Sequence, residues 1–363
     1  MGKLTFRGGI HPYEGKELSK VHPIEKYLPK GDLVYPLSQH IGAPSVPCVK
    51  KGDTVLAGQK IADAGGFVSV PLHASVSGTV KGIEKRLNAT GSMVDCIVIE
   101  NDQQYQETEF QEARLEDLTK EEILNRIKEG GVVGMGGAGF PTHVKLAPKD
   151  PSKIEYILVN GAECEPYITS DYRRMIEEPE KVVKGLQVIL TLFDSAKGYI
   201  CIEDNKPDCI AKMKELVKDI DRIEVKEMMT KYPQGGERTL IYAATGREIN
   251  SSMLPADVGC VVDNVETVIS VYKAVILGRP VNSRVVTVTG DGIKEPKNLL
   301  VLAGTDMSEL VDAAGGLKGK IAKAISGGPM MGFALYDLHV PCTKTTSAFL
   351  FLSLIHISEP TRP

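Results

Sequence analysis

The sequence predicts an α/β multidomain protein, and the patterns of two long stretches indicate this. Residues 37–100 contain short β-rich runs, at 46–55 and 76–80, separated by Gly-Asp and Ser-Gly turns, as in a small barrel or sandwich. From residue 118 onward, apolar strands alternate with helices, which favours a largely parallel sheet. We therefore expect an N-terminal β barrel-sandwich domain and a Rossmann-like α/β domain, followed by a small β-grasp module.

Composition excludes several classes of function. The 43 basic and 47 acidic residues give a net charge of −4, which argues against a nucleic-acid partner. No apolar run reaches the length of a membrane-spanning helix, and the N-terminus lacks the apolar core of a signal peptide. The seven cysteines include no C-x-x-C pair, so we expect no metal site within this chain. We expect a cytoplasmic chain, or one held at a membrane by its partners.

The N-terminal third is predicted to be an extended arm, a sandwich and a linker. Residues 1–36 lack periodicity and are predicted to form the arm. In residues 37–100, the pattern V-x-x-G-D-x-V-x-x-G-Q followed by A-x-V-S-G-x-V resembles the biotinyl/lipoyl carrier fold. Carriers need a modifiable Lys on the exposed hairpin, but residues 62–74 contain none, so we expect a structural sandwich with His73 as a local structural residue. The polar, acidic residues 101–117 are predicted to be a linker.

The predicted α/β domain covers residues 118–278. Thr119 to Glu122 fit a capping box that opens a helix, and Gly130-Gly131 ends it. Strands are expected at 154–159, 198–202 and 223–228, and helices at 180–192, 237–244 and 265–277. A further helix should begin at Pro207, with Asn205 as its cap.

The predicted β-grasp module covers residues 279–330. It should contain strands at 284–289, 299–302 and 321–325, around a helix at 307–314 that Asp306 caps. The sequence Gly327-Gly328 is expected to form a turn. Residues 331–351 are assigned to the start of a further C-terminal region.

The segment most suggestive of ligand binding is the glycine loop, residues 130–146, GGVVGMGGAGFPTHVKL. Its six glycines precede Phe140, and Lys145 follows. Glycines let a ligand lie against the backbone, and packed amide groups with a nearby Lys form an anion-binding concavity. The loop matches neither G-x-x-x-x-G-K-[ST] nor a G-x-G-x-x-G after a strand. Considered alone, it favours a structural turn.

Three other polar segments follow predicted strands or open predicted helices. They are NGAECEP at 160–166, YPQGGER at 232–238 and DNVET at 263–267. Ligands of α/β sheets bind beyond the carboxyl ends of the strands. Each segment alone has a plainer explanation as a polar loop or a helix cap. Together with the glycine loop they favour a nucleotide-like site.

These motifs resemble known families. The loop G-x-G-G-A-G-F-P-T-x-x-K resembles the flavin-binding loop of the flavoprotein subunit of respiratory complex I. N-x-x-E-x-E-P, G-G-E-x and N-V-E-T resemble that family's other flavin and NADH motifs, in the same order. FRGGIHP, PLSQHIGAP, KKGD-x-V-x-x-GQ and HASVSGTVK resemble the RnfC family of the Rnf electron-transport complex, over residues 5–351.

The resemblance implies a role for each matching residue. The residues that would contact FMN are Gly134, Gly136, Gly137, Gly139, Lys145 (at the phosphate), Asn160, Glu163 and Asn264. Phe140, Glu165 and Glu237 would approach NADH, the Phe by stacking, and Gly236 precedes Glu237 in the G-G-E motif. The complex I family has an Arg where Met135 stands and an acidic residue where Ala162 stands. Flavin contacts at these two positions are therefore lost or replaced.

The implied activity is hydride transfer between NAD(H) and FMN, followed by one-electron steps to [4Fe–4S] clusters. The chain would be the NADH-side subunit of a membrane-associated, ion-translocating ferredoxin:NAD oxidoreductase. Its partners would be the other subunits and, indirectly, ferredoxin, and it would lie peripherally on the cytoplasmic face of the membrane. Two alternatives stay open: a cobalamin reductase of the propanediol-utilisation type, and a flavin-free scaffold subunit.

RnfC-like proteins continue past a T-S-x-x-x-L strand into two C-x-x-C-x-x-C-x-x-x-C-P segments for [4Fe–4S] clusters. This chain stops before them, so the clusters are expected only in the full-length protein. Residues 352–363 are interpreted as a non-native tail, similar to the translation of a sequencing adaptor, rather than as a strand and a loop.

Overall fold

Residues 3–354 are described by a computed structural model. The strands in this range are β1 (Glu25–Lys26), β2 (Leu33–Pro36), β3 (Val46–Pro47), β4 (Thr54–Val55), β5 (Lys60–Asp63), β6 (Leu72–His73), β7 (Gly78–Leu87), β8 (Met93–Asn101), β9 (Tyr156–Gly161), β10 (Lys197–Glu203), β11 (Ile223–Met228), β12 (Cys260–Asn264), β13 (Ser283–Thr289), β14 (Lys297–Leu302), β15 (Ile321–Ser326), β16 (Phe333–Leu335) and β17 (Ala348–Ser353). The α-helices are α1 (Lys120–Glu129), α2 (Thr142–Lys145), α3 (Ser170–Glu177), α4 (Pro179–Leu190), α5 (Pro207–Val217), α6 (Glu237–Thr245), α7 (Val265–Val275) and α8 (Met307–Ala313). Short 3₁₀ helices are Lys16–Leu18, Leu115–Asp117, Pro151–Lys153 and Pro255–Val258.

The N-terminal domain is the expected barrel-sandwich. One sheet has the order β2-β8-β7-β4 and the other has the order β3-β5-β6. Their facing side chains, including Ile61, Leu72 and Ile97, form one apolar core. The sandwich begins earlier than residue 37, because β2 pairs antiparallel with β8. Leu33 and Tyr35 lie on the same face of β2 and are buried against that core, which makes β2 part of the sandwich.

Residues 3–36, within the stretch predicted to be an extended arm, pair with other parts of the chain. Leu4 forms a parallel bridge with Met228, and Ile10 forms an antiparallel bridge with Tyr232. Strand β1 then pairs parallel with β14. The segment therefore binds along the α/β domain and the C-terminal module, because its backbone groups find partners on edge strands of both.

The α/β domain is built on a four-stranded sheet with the order β11-β10-β9-β12, in which all pairs are parallel. The predicted capping box is confirmed, since Thr119 Oγ1 accepts from the amide of Glu122 and the Glu122 carboxylate accepts from the amide of Thr119. The cap predicted for α5 is wrong. Its N-cap residue is Lys206, and the side chain of Asn205 instead donates to Glu14 at 2.8 Å.

The C-terminal module is a six-stranded sheet with the order β1-β14-β13-β17-β15-β16, packed on α8. The predicted cap is confirmed, as Asp306 accepts from the amide of Ser308. The predicted end at residue 330 divides this sheet, because β17 lies between β13 and β15. Strand β17 is apolar enough to be central, since Phe349 and Phe351 are buried.

Strand β17 runs to Ser353 and so includes the first two residues of the stretch interpreted as a tail. Residues 355–363 of that stretch lie outside the described part of the chain. No helix within residues 3–354 is both long enough and apolar enough to cross a membrane.

Candidate functional site

Two asparagines mark the carboxyl edge of the parallel sheet. Asn160 on β9 and Asn264 on β12 are register partners. Asn160 Nδ2 donates to the carbonyl of Gly235 at 2.8 Å, and Asn264 Oδ1 accepts from the amide of Glu266, so that Asn264 caps α7. The strand ends thus bring three of the four polar segments to one edge, as the sequence predicted.

The glycine loop connects α1 to α2 and lies beside this edge. A Cβ atom at Gly136 would lie 3.0 Å from the Cβ of Asn264, whereas one at Gly137 would meet nothing within 4 Å. Both glycines are exposed. Among residues 3–354, the backbone N–H groups of Gly136, Gly137 and Gly139 donate to no acceptor. The exposed middle of the loop, at Gly136 and Gly137, therefore offers free donors and open space to an anion.

The ends of the loop, in contrast, are firmly held. The amide of Gly134 donates to the carbonyl of Phe140 at 2.8 Å, and the amide of Met135 donates to Thr267 Oγ1 at 2.9 Å. Gly139 has a φ of +71°, and a Cβ atom there would lie 3.0 Å from the carbonyl oxygen of Gln39 in the sandwich domain. The ends of the loop are thus fixed by hydrogen bonds, whereas the amides of Gly136 and Gly137 at its centre have no hydrogen-bond partner among residues 3–354.

Lys145 is held beside the loop by strand β12. Its Nζ donates to the carbonyl of Val262 at 2.8 Å and lies 3.4 Å from Asp263 Oδ1. Burial raises the pKa of Asp263, and the Lys145 ammonium opposes that rise. An ammonium group carries three donors. Lys145 therefore neutralises a buried carboxylate and keeps a donor for a ligand.

The two glutamates of the NGAECEP segment differ in their environments. Glu163 accepts from the amide of Asp171 at 2.7 Å and lies 3.8 Å from Lys16 Nζ, so it braces the start of α3. Glu165 Oε2 accepts from the amide of Met330 at 3.2 Å, while its Oε1 is buried and has no partner among the described residues. Burial raises the pKa of both carboxyls. Of the two glutamates, only Glu165 retains a carboxylate oxygen without a hydrogen-bond partner among the described residues.

The third segment opens α6. The amide of Gly235 donates to Cys164 Sγ at 3.2 Å, which joins the two strand-end segments. Gly236 is the N-cap residue of α6, and Glu237 follows it in the first turn. Glu237 is exposed and Phe140 is half-buried. Their side chains make no hydrogen bond or ring contact within residues 3–354 and so remain available at the rim.

The chain departs from the complex I motifs at Met135 and Ala162, and both residues are buried in the protein. The Met135 side chain is 1 % exposed and belongs to the core of the α/β domain. Ala162 is fully buried, and its carbonyl accepts from the buried Lys206 Nζ at 2.6 Å. Both side chains are therefore directed into the protein.

The sequence did not reveal Asp171, which lies behind the Asn264 side chain. Asn264 Nδ2 donates to Asp171 Oδ2 at 2.6 Å. Burial, with the nearby Glu163 charge, raises the pKa of Asp171 to about 7. The available signal was Ser170-Asp171 opening helix α3, but this eight-residue helix was not predicted. Arg284 and Lys344, which contact the loop from the C-terminal module, were missed as well.

Matches to three known domain families define the class of protein. Residues 127–273 match the Nuo51 FMN-binding domain, residues 4–104 match the RnfC barrel sandwich hybrid domain, and residues 285–334 match the SLBB domain. The fold and the site thus define a protein with an FMN-binding domain. The free amides of the glycine loop and the open space at Gly137 fit a phosphate group, such as the one that FMN carries.

Relatives then identify the family. The chain is 46% identical over 358 residues to the C subunit of the proton-translocating ferredoxin:NAD(+) oxidoreductase complex of Clostridium ljungdahlii, covering 98% of this chain and 78% of the relative. It is 43% identical to the Na(+)-translocating counterpart of Acetobacterium woodii, covering 96% and 79%. In Pseudomonas aeruginosa, the C subunit of the ion-translocating oxidoreductase complex is 41% identical, and the alignment covers 98% of this chain but 46% of that protein. The chain belongs to the RnfC family.

A solved structure shows the same fold. An NAD+-reducing [NiFe]-hydrogenase in its H2-reduced state aligns with a TM-score of 0.53 at 19% identity, covering 66% of this chain and 47% of that chain. Within residues 3–354, no group of three or more His, Cys, Asp or Glu side chains could hold a metal ion.

Proposed function

We propose that this chain is the NADH-side flavin subunit of an ion-translocating ferredoxin:NAD oxidoreductase. The observation that carries the proposal is the glycine loop with its free amides beside Asn264, in a chain of the RnfC family. When bound, FMN supplies the chemistry, since its N5 atom exchanges a hydride with C4 of the nicotinamide. The protein supplies binding, orientation and charge.

Different residues at the loop would bind different parts of FMN. The amides of Gly136, Gly137 and Gly139, with the remaining donor of Lys145, bind the FMN phosphate. Asn160 and Asn264, each fixed by a hydrogen bond, hold the flavin at the sheet edge. Gly134 supports the loop, and Glu163 supports the strand-end segment from behind.

NADH would bind at the rim of the site, next to the turn that contacts Glu165. Glu165 Oε1, which has no partner within the described residues, accepts a hydrogen bond from a ribose hydroxyl or the amide of NADH. Phe140 stacks on a ring of the dinucleotide. Gly236 and Glu237 at the start of α6 complete the rim.

The names of the relatives support a position for this chain in a larger assembly. We infer that the assembled complex would contain [4Fe–4S] clusters, which would supply the one-electron path between the flavin and ferredoxin. The other subunits would hold the chain peripherally on the cytoplasmic face of the membrane. No residue of the site specifically favours the cobalamin reductase alternative. A flavin-free scaffold would leave the loop amides of Gly136, Gly137 and Gly139 without a hydrogen-bond acceptor within residues 3–354.

The test is a flavin titration of the purified chain, followed by visible absorbance and flavin fluorescence, and then bleaching by NADH. We expect FMN binding and bleaching. Lys145→Met should weaken FMN binding, and Lys149→Met, at an exposed position four residues later, should not. Because Lys145 also neutralises Asp263, the double variant Lys145→Met/Asp263→Asn removes both charges and keeps the test independent of stability. A chain that neither binds FMN nor supports bleaching would be the flavin-free scaffold.

A further inference from the structure

Two buried cationic side chains of the C-terminal module contact main-chain carbonyls of the glycine loop. Arg284 lies on β13 and is 5 % exposed, and Lys344 lies between β16 and β17 and is 3 % exposed. Within residues 3–354, neither side chain forms an ion pair with a carboxylate at 4 Å or less. Buried charges are normally paired, because desolvating an ion is costly. Their presence here requires an explanation.

Both cations donate to main-chain carbonyls of the loop. Lys344 Nζ donates to Gly131 at 2.7 Å and to Pro71 of the sandwich domain at 2.8 Å. Arg284 Nη2 donates to Met135 at 2.7 Å, and Nη1 donates to the carbonyl of Lys344 at 2.6 Å. The first and last carbonyls of the five-residue stretch from Gly131 to Met135 are therefore held by one connected pair of cations.

The same segment reaches the far end of the loop. A Cβ atom at Gly139 would lie 3.0 Å from Thr345 Cγ2, and the amide of Lys344 donates to Gln39 Oε1 at 3.0 Å. Lys344 and Arg284 thus hold the carbonyls of Gly131 and Met135, and Thr345 lies close to Gly139. The centre of the loop, with the free amides of Gly136 and Gly137, is exposed and is not covered by these contacts.

The charges of the two side chains support the same interpretation. Burial lowers the pKa of Lys344 to about 7, and burial lowers the pKa of Arg284 while Glu266 and Asp171 oppose it. The Lys344 charge in turn helps to lower the pKa of two histidines of the sandwich domain, His40 and His73. A guanidinium keeps its charge even when buried, and an anion bound near Lys344 would favour the charged form of its amine, so the pair favours an anionic ligand.

We propose that Arg284 and Lys344 are positioning residues of the flavin site: they hold the carbonyls of Met135 and Gly131, fix the loop whose Gly136, Gly137 and Gly139 amides would bind the FMN phosphate, and add positive charge on the side of the loop that faces the C-terminal module. This inference rests on the proposed function, because it assigns the loop to FMN. It makes the C-terminal module part of the cofactor site and not only a neighbour of it.

The experiment compares Arg284→Met and Lys344→Met with the wild-type chain. FMN and riboflavin dissociation constants are measured by fluorescence titration, and the melting temperature of the flavin-free chain is measured in parallel. We expect FMN to bind at least about tenfold more weakly in each variant, which corresponds to about 1.4 kcal/mol. The affinity for riboflavin, which lacks the phosphate, should fall by a smaller factor than the affinity for FMN.

The melting temperature separates positioning from general stabilisation. Each Met variant removes a buried charge without an ion-pair partner but also leaves two carbonyls without their donor, so the flavin-free chain should lose no more stability than the matched control variant does. The matched control is Arg222→Met, because Arg222 also donates to backbone carbonyls, those of Leu190, Phe193 and Ala196, but in the α/β domain away from the loop. It should lower the melting temperature and leave FMN affinity unchanged. Arg284→Lys, which keeps the charge, should recover part of the lost FMN affinity.

The outcomes distinguish this inference from the proposed function. If the wild-type chain binds FMN and both Met variants bind it within about twofold of wild type, the positioning role is wrong and the proposed function stands. If the Met variants lose FMN and riboflavin equally and melt much earlier, the two cations only stabilise the domain junction, and the inference is overturned. If the wild-type chain binds no FMN, both proposals are wrong.

Discussion

Gly328 lies so close to the carboxylate of Glu165 that a Cβ atom at position 328 would overlap Oε2. The turn between β15 and β16 therefore covers Glu165, and its Met330 amide donates to the same oxygen. The sequence predicted only a turn at Gly327-Gly328. The structure shows that this turn orients the glutamate proposed to bind NADH.

Gly328→Ala should weaken NADH binding. The new methyl group must displace the Glu165 side chain, since a flexible carboxylate moves more easily than backbone. Loss of one charge-assisted hydrogen bond is worth ~1.5 kcal/mol or more, so we expect the KM for NADH to rise about tenfold. FMN affinity should change little. Steady-state kinetics with a flavin-loaded chain measure this.

The control for this variant is Gly66→Ala in the sandwich domain. A Cβ atom there would lie 3.3 Å from the Cβ of Ala43, an apolar neighbour far from Glu165 in sequence. An unchanged KM in Gly328→Ala, with the control also unchanged, would show that Glu165 does not contact NADH.

Gly137 and Gly139 should respond differently to substitution by Ala. A Cβ atom at Gly137 meets nothing within 4 Å, so Gly137→Ala should leave the free energy of unfolding within about 0.5 kcal/mol of wild type. If the open space belongs to FMN, flavin affinity should fall at least about tenfold. Gly139→Ala should instead destabilise the fold by ~1–2 kcal/mol, because its φ of +71° is strained for Ala.

Urea unfolding and FMN titration on both variants measure this contrast. Equal FMN affinity in wild type and Gly137→Ala would remove Gly137 from the site. The Gly139 variant shows how much stability is lost when a left-handed position in the loop is strained.

His73 should make the fold sensitive to acid. Burial, with Lys344 and Lys60, lowers its pKa from 6.5 to about 3. Between these two values the unfolded chain binds a proton that the folded chain does not. The free energy of unfolding should therefore fall as pH decreases from 6.5 toward 3, by ~1.4 kcal/mol per pH unit at most. Melting temperatures at a series of pH values measure the slope.

His73→Gln replaces the ring by a side chain that does not titrate. Its stability should depend less on pH across the same window, whatever its absolute stability at neutral pH. The exposed His339 provides the matched control as His339→Gln, which should keep the wild-type slope. A parallel slope in His73→Gln and wild type would assign the acid sensitivity to other groups.

Arg174 and Glu266 form a buried two-point ion pair between α3 and α7. Arg174 Nε donates to Glu266 Oε2 at 2.7 Å, and Nη2 donates to Oε1 at 3.0 Å. Both side chains are 3 % exposed. Glu266→Gln should lower the free energy of unfolding by about 3 kcal/mol, because it leaves a buried cation with a weaker partner.

Denaturant unfolding measures the loss. Glu215→Gln, which removes an exposed pair with Lys218, should change stability by less than about 0.5 kcal/mol. Similar small losses in both variants would mean that the remaining partner, Glu178, compensates for Arg174.

The sequence alone determined the features that depend on neighbours in the chain. The capping box at Thr119, the alternation of strands and helices, and the placement of Asn160 and Asn264 at strand ends were all predicted correctly. Each depends on residues within a few positions of one another, so hydrogen-bonding capacity and apolar periodicity suffice to reveal it. The family motifs extended this local knowledge to a cofactor.

Only the tertiary structure decided which distant residues meet. Strand β17 belongs to the centre of the C-terminal sheet, and the N-terminal segment supplies β1 and β2, because edge strands and apolar faces far apart in sequence cover one another. For the same reason, Glu163 braces α3 whereas Glu165 faces the Gly328 turn. Arg284 and Lys344 reach the glycine loop from a distant part of the chain, and no local pattern encodes a contact set by the packing of three domains.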